Sequence, residues 1–145
     1  MNSIKTTARI FEDVKINVKM KLSLLWVALM FFYLYNDVFT FFRAEHIKEV
    51  LTGEVAGIQI TQVFLFGAAI LMAIPSFMVF LSLILPAKVN RRTNIIVGIF
   101  HIVVLLATLF VPGELWAYYA LYMIFEAVFI ALIVWHAWKW PRQEG

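Results

Sequence analysis

The chain has 145 residues, of which 63% are hydrophobic and 14% charged, with a formal net charge of +3 and no cysteine. A soluble domain carries about a quarter charged residues, so this composition is that of a membrane protein with no room for a soluble catalytic or nucleic-acid-binding domain. The absence of cysteine excludes a disulfide framework, a thiolate metal site and thiol redox chemistry.

In chain order, residues 1–20 carry Ile4, Ala8, Phe11, Val14 and Val18 at steps of three and four, with Lys5, Arg9, Lys15 and Lys19 on other faces. That pattern predicts an N-terminal amphipathic helix lying on the inner leaflet. A transmembrane helix needs about 20 largely apolar residues, and four stretches reach or approach that length: 22–42, 60–85, 95–111 and 116–138. The expected fold is all-α, a polytopic four-helix transmembrane bundle over residues 21–140 with a short tail at 141–145. The first span exceeds the roughly 7 to 15 residues of a signal-peptide core and lacks a small-residue cleavage site, so it is expected to stay. The next connection, "RAEHIKEVLTGEVAG", has Ile47, Val50 and Leu51 on one face ahead of Gly53, which predicts a short helix over the outer end. Pro75 removes the amide that would bond the Leu71 carbonyl, while Ala69, Ala73 and Ser76 offer a small-residue face for a neighbouring helix. Trp116, Tyr118 and Tyr119 at one end of the fourth span, and Trp135, Trp138 and Trp140 at the other, read as interfacial belts.

The charges set the expected orientation. Lys5, Arg9, Lys15, Lys19 and Lys21 precede the first span, Lys88, Arg91 and Arg92 lie between the second and third, and Lys139 and Arg142 follow the fourth. Only Arg43 and Lys48 fall on the opposite side, so the positive-inside rule predicts that both termini are cytoplasmic.

Few polar groups remain inside: Asn36 and Asp37 in the first span, Gln59 and Gln62 at the start of the second, His101 in the third and Glu126 in the fourth. A carboxylate at the bilayer centre costs about 2.5 to 3.5 kcal/mol on insertion scales, so such groups face the interior and find partners. Counting from the turn at Pro112 and Gly113, His101 and Glu126 differ in depth by roughly 3 Å and can pair near the midplane. The same count about Val50 sets Asp37 level with Gln62 in the outer third. Tyr119 and Tyr122 extend the Glu126 face outward. The set describes a polar ladder descending from outside to the centre and fading below His101. Structural alternatives stand beside this: Asp37 as a clasp with Arg43, and His101 with Glu126 as a satisfied pair. His136 is some 15 Å deeper than His101, which disfavours haem ligation by two histidines, and no metal motif is present; no cofactor is predicted.

The stretches "KLSLLW", "YLYNDVFT", "ITQVFLFGAAILMAIP" and "LPAKVNRRTNII", with "YY", "IFEAVF" and "WHAWKWP" in the last span, resemble a family of small bacterial four-span membrane proteins known only as a domain of unknown function. The resemblance covers nearly all of the chain after about residue 20 and rests on Asp37, Gln62, Pro75, Asn90, Arg91, Asn94, Glu126 and Trp138. It implies the four-helix architecture but no activity. It also implies a glutamate where this chain has Ala73, a second midplane carboxylate that this sequence lacks.

The expectation is therefore a multi-pass protein of the bacterial cytoplasmic (inner) membrane, in contact with lipid and with no nucleic-acid partner. Its outward-facing polar pocket, lined by Asp37, Gln62, His101 and Glu126 with Asn36 and Tyr122 nearby, would bind or move a proton, cation or small solute. The small bundle suggests a homo-oligomer. Two alternatives stay open: a membrane-embedded enzyme or lipid-binding protein using His101 and Glu126 as an acid–base pair on a hydrophobic substrate, or a non-catalytic accessory subunit.

Overall fold

The computed structural model describes residues 14–141. Within them run helices α1 (Val18–Phe41), α2 (Ala44–Leu51), α3 (Gln62–Ile84), α4 (Ala87–Thr108) and α5 (Ala117–Trp138). A two-residue antiparallel ladder, β1 (Glu54–Val55) with β2 (Ile58–Gln59), joins α2 to α3. The fold is all-helical apart from this ladder, and α1, α3, α4 and α5 are each long and apolar enough to cross a membrane. The shortest of them reaches about 33 Å at 1.5 Å per residue, enough for a hydrocarbon core of about 30 Å.

α1 packs along both α3 and α5, and α4 packs along α5, whereas α3 and α4 touch only sparsely. The apolar core comprises Leu22, Trp26 and Leu29 of α1, Met78 of α3, and Ile130, Ile133 and Ala137 of α5. These positions lie in the half of the bundle nearer the chain ends. Large apolar side chains such as Phe66, Phe77, Ile96 and Val103 are exposed on the outer faces. Lipid is as apolar as leucine, so helix association relies on close packing and interhelical hydrogen bonds rather than on hiding these groups.

The element ends follow local chemistry. Asn17 caps α1, its Oδ1 accepting the Lys19 amide at 2.9 Å, and Thr61 caps α3 by accepting the Phe64 amide at 3.1 Å. Leu85, held extended ahead of Pro86, terminates α3, and Pro86 starts α4 one residue later. In the ladder Ala56 and Gly57 have φ of 50° and 76°, the paired positive values of a type I′ hairpin turn.

Two sequence expectations change here. The amphipathic helix expected over residues 1–20 falls mostly outside the described residues; residues 14–17 are not helical, and Val18 onward belongs to the first span. α4 begins at Ala87, well before the expected 95, so the basic segment around Arg91 is helical and carries Asn90 and Asn94 into the bundle. Pro75 lies inside α3, which is helical on both sides of it, and the Oγ of Ser76 donates to the Met72 carbonyl at 2.8 Å beside it.

Candidate functional site

Helical spacing sets up the interior stripes. On α1, Trp26, Tyr33, Asn36 and Thr40 recur at steps of seven, three and four, and on α4 Asn90, Asn94, Gly98 and His101 recur at four, four and three. All four of the α4 residues are buried. On α5 the stripe is Tyr119, Glu126, Ile130, Ile133 and Ala137, the last four of them buried.

Where the stripes meet in the half of the bundle nearer α2, they enclose a pocket of about 160 Å³. Its wall consists of Tyr33, Asn36 and Asp37 from α1, Leu71 and Met72 from α3, His101, Val104, Leu105 and Thr108 from α4, and Tyr119 and Glu126 from α5. At about 30 Å³ per water, the volume suits a handful of waters or one small hydrated ion. Asp37 is exposed and marks the rim, while His101 and Glu126 are 1% and 5% exposed and sit deep. The wall carries two carboxylates and no lysine or arginine.

Hydrogen bonding in this pocket is incomplete. His101 Nδ1 lies 3.2 Å from the Tyr33 hydroxyl, and the imidazole meets the Trp26 ring edge-on at 5.8 Å. Its Nε2, the Oε1 of Glu126 and the Oδ1 of Asn36 are buried without a partner. The expected His101–Glu126 pair is thus not formed, although both residues line the same space: Tyr33, from a helix outside the α4–α5 hairpin, takes the histidine instead.

Other expected members stand elsewhere. Gln62 is the exposed first residue of α3 and is not part of the wall. Counting residues to equal depth holds only for a tight turn, whereas this connection contains α2 and the β-hairpin, which break the equality between residue count and depth. Gln59, in β2, donates to Glu54 Oε1 at 3.1 Å. Tyr122 packs instead with Phe32, Phe39 and Phe125, in an aromatic cluster between α1 and α5. Arg43 does not clasp Asp37; its guanidinium lies over the Trp116 ring, 4.6 Å from the centroid. Among the described residues no three His, Cys, Asp or Glu side chains are grouped to hold a metal ion.

Beneath the pocket lies a polar cluster that the sequence reading did not foresee. Trp26 Nε1 donates to Asn94 Oδ1 at 2.7 Å, and Ser82 Oγ donates to the same oxygen at 3.3 Å. Asn94 Nδ2 donates to the Asn90 carbonyl and Oδ1 at 2.9 and 2.6 Å, and Asn90 Nδ2 donates to the Ser82 carbonyl at 2.6 Å. Ser23 Oγ adds a bond to the Val79 carbonyl at 2.8 Å. The expected fading of polarity below His101 holds for α5, whereas α1 supplies Ser23 and the Trp26 indole and α3 and α4 carry the rest of the cluster. The four-step spacing of Asn90, Asn94 and Gly98 was the available signal, hidden by the charges around it.

No curated protein and no solved structure matches the chain. The model of a family of unknown function, DUF6326, matches residues 8–145, and the chain belongs to that family.

Proposed function

We propose that this multi-pass membrane protein binds and moves a small cation, the proton included, through the pocket between its four spans. The observation that carries the reading is the set of three buried, unpartnered polar atoms, on Asn36, His101 and Glu126, around one small space walled by two carboxylates and no basic side chain. Uncompensated groups at this depth are costly, and a site kept for an occupant accounts for that cost. In this reading Asp37 receives the ion at the rim, and Glu126 with the Asn36 amide oxygen holds it. The Tyr33–His101 pair relays a proton through whichever ring nitrogen is free. By the positive-inside rule the pocket opens away from the cytoplasm of a bacterial inner membrane.

The test is flux in reconstituted vesicles across a pH step. Glu126→Gln removes the deep charge at constant shape and is expected to abolish pH-dependent cation or proton movement; flux equal to that of the unaltered protein overturns the reading.

A second reading draws on the sparse contact between α3 and α4, both of which wall the pocket, as the seam along which a lateral route from the lipid would run. Through it a hydrophobic molecule with a polar head would reach His101 and Glu126, as a bound ligand or as the substrate of an acid–base step. A specific lipid retained through purification and lost in Glu126→Gln would favour this reading over ion movement.

A further inference from the structure

The basic end of the bundle holds a second cavity. Lys15, Lys19, Lys21, Lys88, Arg91, Arg92 and Lys139 all lie at this end, whereas the carboxylates of the described residues, Asp37, Glu45, Glu49, Glu54, Glu114 and Glu126, lie toward the other end or in the pocket. A topology signal requires only that cations be on one side of the membrane; it does not require them to converge. Here four do. Lys15 and Lys19, at the approach to α1, and Lys88 and Arg91, in the first turns of α4, line one cleft of about 710 Å³ together with Asn17 and Trp140.

Two of the four are held in place. Lys19 Nζ donates to the Leu83 carbonyl at 3.3 Å, and the Arg91 guanidinium stands 5.6 Å from the centroid of the Trp138 ring. α4 begins at the cleft with Ala87 and Lys88 in its wall and no side-chain cap, so the first amides of the helix add to the positive potential. No carboxylate lines the cleft among the described residues. Like charges held together repel one another unless an anion stands between them, and a cleft with an arginine, three lysines and a tryptophan at bilayer-surface depth suits phosphate.

We propose that this cleft binds a phosphate-bearing anion, supplied by the headgroup of an anionic phospholipid. The lysines neutralise the phosphate, Arg91 orients it, and Trp138 and Trp140 lie at the depth where headgroup meets acyl chain. The site is independent of the ion pocket at the opposite end.

The experiment titrates the purified full-length protein in neutral detergent with phosphatidylglycerol, with inorganic pyrophosphate, or with phosphatidylcholine as a blank, and counts adducts by native mass spectrometry. Saturable phosphatidylglycerol binding is expected, weakened about thirtyfold in Lys88→Gln/Arg91→Gln, since each basic residue near the surface contributes roughly tenfold or less. Arg92→Gln/Lys139→Gln removes the same charge outside the cleft and is expected to change affinity less than about threefold. Lys15→Gln, outside any helix, supplies a variant that cannot disturb a span and is expected to weaken binding about fivefold. Saturation by pyrophosphate but not by phosphatidylglycerol assigns the same phosphate site to a soluble source. Equal losses in the two double variants, or phosphatidylcholine adducts as abundant as phosphatidylglycerol adducts, overturn the proposal.

Discussion

The two polar clusters inside this bundle are separated by one aromatic ring and differ in kind. Above Trp26, three buried atoms on Asn36, His101 and Glu126 lack partners and surround a cavity. Below it, every polar group of Asn90, Asn94 and Ser82 is paired, and the cluster ties α1, α3 and α4 together. Polarity in a membrane interior therefore serves two ends in one molecule: a satisfied cluster holds helices together, and an unsatisfied one keeps a site open at the expense of stability.

The sharpest way to break this contrast is Asn94→Ala. It deletes four hydrogen bonds and strands the Trp26 indole and the Asn90 amide oxygen, so unfolding in mixed micelles is expected to become easier by about 3 kcal/mol. A loss no greater than that of a surface substitution would remove the structural role given to the lower cluster. Gly98→Ala, on α4 between the two clusters, probes packing without polarity. An added Cβ would lie 2.6 Å from Val134 Cγ2, a stiff β-branched neighbour, and the same assay is expected to show a loss of about 2 kcal/mol as α4 is pushed off α5. Glu126→Leu reverses the sign: removing a buried carboxyl with one oxygen left without a partner is expected to raise stability by about 1 kcal/mol while ending ion movement. A destabilised Glu126→Leu would mean that the pocket, too, is structural. The smallest effect is expected for Tyr33→Phe, where one 3.2 Å contact to His101 is lost at about 0.5 kcal/mol, read as a small shift of the same unfolding curve.

Hydropathy and length made the four spans legible, because a 20-residue apolar run has few other uses. What lay beyond reach was pairing between helices that are distant in sequence. Hairpin register could set His101 level with Glu126, yet nothing in the order of residues reveals that Tyr33 approaches from α1 to take the imidazole. Gln62 stands outside the pocket wall for a related reason, since α2 and the β-hairpin lengthen the connection from which register is counted. Asn90 and Asn94 are visible in the sequence as part of the family pattern, but their place inside the bundle is masked because neighbouring Lys88, Arg91 and Arg92 lower the local apolarity. Long basic side chains reach the membrane surface from a helix that has already begun, so a charged stretch between two apolar runs can itself be helical. Tyr122 shares a general side of α5 with Glu126, but its ring is claimed by Phe32 and Phe39, a choice made by shape and not by polarity.

Trp26 also gives the protein an internal optical reporter. Its ring is fully buried and edge-on to His101, whereas Trp116, Trp135, Trp138 and Trp140 lie at the helix ends. A protonated imidazole quenches indole emission on contact, so the deepest tryptophan dims or brightens with the charge of the histidine beside it. With the four terminal tryptophans replaced by phenylalanine, the remaining fluorescence reads occupancy of the pocket from within, with no label attached.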